Sequence, residues 1–210
     1  MGDEENNYYF DEDEANISYP CASWAPAVGF MGCAFAVVFA NIGGAYGTAK
    51  AGQGIMAMGI RSPELLMKNI IPVVMAGVLG IYGLIVAVIL NGKMVKPEQG
   101  TGYTKYSVYS ALAHLAAGLC CGLCSLASGL AIGISADAGT RAVGAQSAMA
   151  SSWKKMGFTG DAGGQVTSSG DALFVGTVLI QVFAGNLGLY GLISALILSQ
   201  SEYYCDNGGN

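Results

Sequence analysis

The sequence predicts an all-α membrane protein in which four transmembrane helices form two tandem hairpins. Two observations carry this reading: the charges are segregated, and one half of the chain repeats the other. Of 210 residues, 53% are hydrophobic and only 11% are charged, against roughly 25% charged in soluble domains. Asp, Glu, Lys and Arg are absent from residues 26–48, 69–90, 107–134 and 173–199. At about 1.5 Å per residue, each run is long enough to cross a hydrocarbon layer about 30 Å thick. A soluble bundle would carry polar faces at helical spacing instead. The repeat lies in the second and fourth runs. Val73–Leu90 and Gln181–Leu198 align at a constant offset of 108, with 12 of 18 positions identical, among them Gly77/Gly185, Gly80/Gly188, Tyr82/Tyr190 and Gly83/Gly191. A duplicated apolar helix of this length implies a duplicated helical hairpin.

Taken in order, residues 1–25 read as an acidic disordered tail, since seven of the 14 acids fall in the first 14 positions and such segments bury little apolar surface. Asn16-Ile17-Ser18 is a glycosylation sequon by pattern, about ten residues from the membrane. No secretory signal is visible, because the N-terminus is acidic and lacks an apolar core. Residues 26–200 form the four-helix domain. Helix 1 is expected over about 26–48, with Pro26 tolerated at its start. A polar link from Lys50 to Lys68 contains the helix-start signal Ser62-Pro63-Glu64. Helix 2 is expected over about 66–90, with an internal Pro72 able to kink it. A Gly- and Pro-bearing loop from Asn91 to Lys105 leads to helix 3 at about 107–134. Helix 4 is expected over about 173–199, followed by a polar tail, 201–210. Ala45-Tyr46-Gly47 and Ala131-Ile132-Gly133 are offset by 86. The difference from 108, about 22 residues, places an inserted loop at about 147–170 (Ser147 to Gly170).

Small residues recur every four positions on both odd-numbered helices. Helix 1 carries Gly32, Ala36, Ala40 and Gly44; helix 3 carries Ala117, Cys121, Ser125, Gly129 and Gly133. In lipid, helices associate through van der Waals contact between such faces. The stripes suit either close packing around a ring or a compact four-helix bundle. Loop charge sets an orientation: Lys50, Arg61, Lys68, Arg141, Lys154 and Lys155 lie on the side of the 1–2 and 3–4 links, and Lys93, Lys96 and Lys105 on the other. Six against three favours those two links in the cytosol.

Several stretches resemble the proteolipid c-subunits of eukaryotic V-type proton ATPases. They are Gly44-Ala45-Tyr46-Gly47-Thr48-Ala49-Lys50, Pro63-Glu64-Leu65-Leu66-Met67-Lys68, Ile71-Pro72-Val73-Val74-Met75-Ala76-Gly77, Ala131-Ile132-Gly133 with Asp137-Ala138-Gly139, and Phe174-Val175-Gly176. The resemblance covers about residues 25–145 and 172–200. It implies a ring of such subunits in a vacuolar or other acidic-compartment membrane, with helices 1 and 3 inside and helices 2 and 4 outside. It also implies partners: other proteolipid subunits, membrane lipids, and a stator subunit with a buried Arg against which the ring turns while ATP is hydrolysed elsewhere. No cofactor is implied.

The family works through one membrane-embedded Glu on helix 4, written Phe-Ala-Glu. This chain reads Phe183-Ala184-Gly185, and glycine carries no proton. Gly77 holds the equivalent place on helix 2, as in the family. Gln181, Asn186 and Tyr190 are the polar neighbours. Gln and Asn do not titrate and Tyr titrates near 10, so they can hydrogen-bond a neighbour's carboxyl or a water but not shuttle a proton near neutrality. His114, the only His, sits near one end of helix 3. Cys120, Cys121 and Cys124 lie on an apolar helix with no His or acid cluster, which favours buried packing over metal ligation. Cys21 and Cys205 share the non-cytosolic side and could pair there. No basic patch supports a nucleic-acid partner, and no Gly-Lys-Ser/Thr follows the glycines of helix 1 to make a phosphate loop. Three readings remain: a rotor-ring proteolipid without its own carrier, a non-pumping structural or assembly subunit, and an ordinary pump subunit whose carrier is another group.

Overall fold

A computed structural model describes residues 22–94, 106–155 and 161–203. Four α-helices run through them: α1 Ala25–Gly59, α2 Ile71–Lys93, α3 Val108–Lys155 and α4 Asp161–Ser199. Each contains a stretch long and apolar enough to cross a membrane. The acidic tail 1–21, the Asn16 sequon, Cys21, Cys205, Lys96 and Lys105 lie outside the described residues.

Three boundaries differ from the sequence expectation. First, α1 continues to Gly59, past Lys50. Second, α2 starts at Ile71, with Pro72 in its first turn. Proline has no N–H to give and clashes with the preceding turn, so it opens this helix instead of kinking it. Residues Pro63–Leu65 and Lys68–Ile70 form two 3₁₀ turns ahead of it. Third, much of the expected loop at 147–170 is helical: α3 runs on to Lys155 and α4 begins at Asp161. A charge-free run measures the hydrocarbon layer, while a helix continues in water wherever it finds something to pack on. Here α1 supplies it. Gly54 lies against Asp137, Met58 lies against Gly144, and the Ser62 and Ser147 hydroxyls meet at 2.6 Å.

The largest interface is between α1 and α3, followed by α3 with α4 and α1 with α2; α2 and α4 touch only slightly. Sequence explains the closeness of α1 and α3. A Cβ at Gly32 would stand 2.8 Å from the Leu115 Cα, and one at Gly43 would stand 2.7 Å from the Leu126 Cα. These helices touch backbone to backbone. Ala36 and Ala40 face Gly83 of α2, Gly44 faces Ala76 and Gly80, Gly129 faces Gly43, and Gly133 faces Gly47. Ala117 and Cys121 join Ala36, Val86, Leu90 and Ala195 in one core cluster, and Ser125 is fully buried. The small stripes therefore lie inside the protomer, that of α1 mostly against α2 and that of α3 against α1. The protomer's outer faces carry large apolar residues such as Phe30, Val38, Leu84, Leu123, Phe183 and Ile193.

The ends of α2, α3 and α4 are tied by polar groups. Lys93 Nζ donates to the Ser199 carbonyl at 2.7 Å and pairs with the Glu202 carboxylate at 2.8 Å. Ser107 Oγ and Ser110 Oγ donate to the Tyr203 carbonyl at 2.7 and 3.0 Å, and the Tyr203 N–H donates back to Ser110 Oγ at 3.0 Å. This clasp fixes the chain as it leaves α4.

Candidate membrane site on the fourth helix

Residue 185 is held in place from both sides. One residue before it, the Ala184 carbonyl accepts a 2.7 Å hydrogen bond from Ser128 Oγ of α3. Beyond it, Gly188 lies against Leu79 and Ser128, and Gly191 lies against Cys124. A side-chain hydroxyl spent on a helix carbonyl is a typical tie between helices in a membrane, where no water competes for it. These contacts fix the rotation of α4 and turn Gly185 toward α2.

There it borders a shallow groove of about 80 Å³ between the two helices. From α2 the groove is lined by Met75, Val78, Leu79 and Tyr82; from α4 it is lined by Val182, Gly185, Asn186 and Leu189. The polar side chains among these are the Asn186 amide and the Tyr82 phenol. A Cβ at Gly185 would meet only the Met75 Cε, at 3.7 Å, and one at Gly77 would meet nothing within 4 Å. Neither glycine is needed for close approach, in contrast to Gly32 and Gly43 of α1 and Gly118 and Gly129 of α3. The site has the room for a side chain that the sequence omits.

The structure separates the expected polar neighbours. Asn186 is half-buried beside Gly185 in the groove. Gln181 is fully buried, does not line the groove, and neither its amide oxygen nor its amide nitrogen has a hydrogen-bond partner among the described residues. Tyr190 is 62% exposed on the outer surface. Tyr82, its repeat partner at an offset of 108, is the tyrosine in the groove; the repeat held the signal, but the direction of each ring depends on the packing. His114 is buried near the other end of α3. It is 14 residues from Ser128, roughly 21 Å along the helix axis. Asp137 binds Arg141 at 2.7 Å on the extension of α3, away from the groove. Among the described residues, no group of three His, Cys, Asp or Glu is placed to hold a metal.

Two paired hairpins with matched glycines on α2 and α4 correspond to a known sequence pattern. The profile of the ATP synthase C-subunit family matches residues 31–90 and again 115–198, one match for each hairpin. The chain belongs to this family. Among its relatives is the V-type proton ATPase 16 kDa proteolipid subunit of Chrysotila carterae, 51% identical over 185 residues, which are 88% of this chain and 97% of the relative. V-type proton ATPase 16 kDa proteolipid subunits of Caenorhabditis elegans and of Ascaris suum are each 46% identical over 180 residues, 86% of this chain and 94% of each relative. Family membership thus extends over all four helices, including the segment that holds Gly185.

Proposed function

We propose that this chain is a non-catalytic rotor-ring subunit of a V-type proton ATPase that occupies a place in the ring without carrying a proton of its own. The single observation behind this reading is Gly185, on the groove face of α4 where the resemblance puts a glutamate. In rotary transport each passage needs a group that binds one proton and releases it, with an affinity set by its surroundings. The groove offers an amide, a phenol and apolar side chains, and neither a carboxylate nor an imidazole. Two supports come from packing. The tight α1–α3 contact suits an inner layer, and the weak α2–α4 contact suits outer helices that meet lipid and stator. In a mixed ring this copy would pass the stator's buried Arg without cargo and without a charge to pair with it. The membrane would be vacuolar or that of another acidic compartment, with the α1–α2 and α3–α4 links in the cytosol.

The test is acidification of vesicles by a complex whose sole ring subunit is this chain. We expect none, and we expect Gly185→Glu to permit it, since the groove accepts a side chain there against the flexible end of Met75. Inhibitor-sensitive acidification by the unmutated chain would overturn the reading and point to another carrier.

A further inference from the structure

The helices α2 and α4 are copies in sequence but not in the surface they turn outward. On α2 the outward side chains Val74, Ile81, Leu84 and Val88 are all exposed and all apolar. On α4 one side is fixed against α3 by Gly188 and Gly191 and joins the core through Ala195. The other side carries Asn186, Tyr190 and Ser194, of which the last two are exposed and Asn186 is half-buried. The same places on α2, 108 positions earlier, hold Val78, Tyr82 and Val86. Two of the three polar groups are thus departures from the repeat, and they fall on one line. Each step of four residues turns only about 40° and rises about 6 Å, so the line covers about 12 Å of one side of the helix. None of the three side chains makes a hydrogen bond among the described residues.

Depth decides what this line can face. The charge-free run of α4 is 173–199, which puts Asn186 at its centre. Tyr190 is about 14 Å from the nearer end, too deep for its hydroxyl to reach the headgroup belt where membrane tyrosines anchor. Hydrocarbon neither donates nor accepts a hydrogen bond, and polar side chains within a span bond across to other helices. We propose that the line Asn186, Tyr190 and Ser194 is the seat of a membrane helix from a different subunit, which brings hydrogen-bonding side chains on successive turns at the same depth. Each of the three groups both donates and accepts, so they suit Ser, Thr, Asn, Gln or Arg on that helix. A second copy of this chain offers less. Its α3 turns out Leu123, Leu130 and Ile134, and on α1 Asn41 and Tyr46 lie against Gly80 and Gly133. The outer face of α2 is left to lipid. The inference does not rest on Gly185: acidification by this chain alone would refute the earlier reading and leave this one standing.

Photo-crosslinking in native membranes tests it. A photoreactive residue replaces Phe183 or Ile197, exposed on the same side of α4 one heptad either side of Tyr190, and, as controls, Leu84 or Val88 of α2. The α4 positions should attach to another subunit of the purified complex. Mass spectrometry should map the attachment to a transmembrane segment, within one turn of a hydrogen-bonding side chain. The α2 positions should give lipid adducts. The triple variant Asn186→Val, Tyr190→Phe and Ser194→Val removes every hydrogen-bonding group from the line. It should lower the crosslink yield about twentyfold, three bonds at about threefold each, and leave Tm unchanged, since the line makes no bond within the protomer. Should the triple variant lose stability, Asn186→Val and Ser194→Val alone, each expected to lower the yield about threefold, decide the matter. Lipid adducts alone from both helices, attachment only to copies of this chain, or a yield that the variants leave unchanged overturns the proposal.

Discussion

Replacing Gly129 by alanine places one methyl group where α3 meets α1, and the cost can be worked out from the contact. The new Cβ would lie 2.7 Å from the Gly43 Cα, with the Gly43 carbonyl closer still, against the 3.4 Å at which ordinary contact begins. The deficit is 3.4 minus 2.7, or 0.7 Å, and it is met by backbone that has no rotamer to change. The helices must separate by at least that much, and a gap of about 0.5–1 Å forfeits a quarter to a half of each dispersion contact along the seam. Overpacking of this kind costs about 3 kcal/mol at the upper end of its usual range. The better helix propensity of alanine returns about 1 kcal/mol, leaving a net loss of about 2 kcal/mol. For a chain of this size that lowers Tm by about 4–8 °C. Gly77→Ala is the control: its Cβ meets nothing within 4 Å, so only the propensity gain remains and Tm should rise by about 2–4 °C. Thermal unfolding of both purified variants, followed by loss of the folded peak on size exclusion, gives the comparison. A Gly129→Ala protein as stable as Gly77→Ala would refute the claim that backbone contact holds the two helices together.

Other outcomes follow from single contacts. Gln181→Leu should raise Tm, because it removes a buried amide whose lack of partners costs about 1–3 kcal/mol; a lowered Tm would mean that the amide is satisfied in the membrane. Ser128→Ala should lose the tie to the Ala184 carbonyl and about 0.6 kcal/mol, the average for side-chain hydrogen bonds between membrane helices. It should lower Tm slightly, and an unchanged Tm would assign the placement of α4 to its glycines alone. A protease added to sealed vesicles with the cytosolic face outward should cut near Lys154–Lys155 and spare Asp3–Glu14; the opposite pattern would invert the orientation.

The sequence made the membrane spans legible because charge is excluded from hydrocarbon. It made the helix ends much less so, because nothing excludes a helix from water. That is why α1 passes Lys50 and α3 passes Asp137 without interruption. Proline misled in one place: Pro72 sits in a helical pattern, and only the 3₁₀ turns before it show that it marks a beginning. Around Gly185, spacing alone placed Gln181 and Asn186 close by, but a four-residue step does not say which way an amide turns. The twist of α4, set by Ser128, Gly188 and Gly191, sends Gln181 inward and Asn186 to the groove. The clasp could not be read at all, since Lys93, Ser110 and Tyr203 are far apart in sequence and come together only once three helix ends are brought together.

The length of α3 has a practical consequence. From Ile134, where its charge-free run stops, the helix continues to Lys155, about 31 Å at 1.5 Å per residue. Braced by α1 as far as Gly144, this part is a continuous rod beyond the charge-free run. In electron micrographs of a purified complex, such a rod is a marker that needs no label. Counting the rods around one ring would count the copies of this chain in it, and their spacing would show whether they alternate with other subunits or sit side by side.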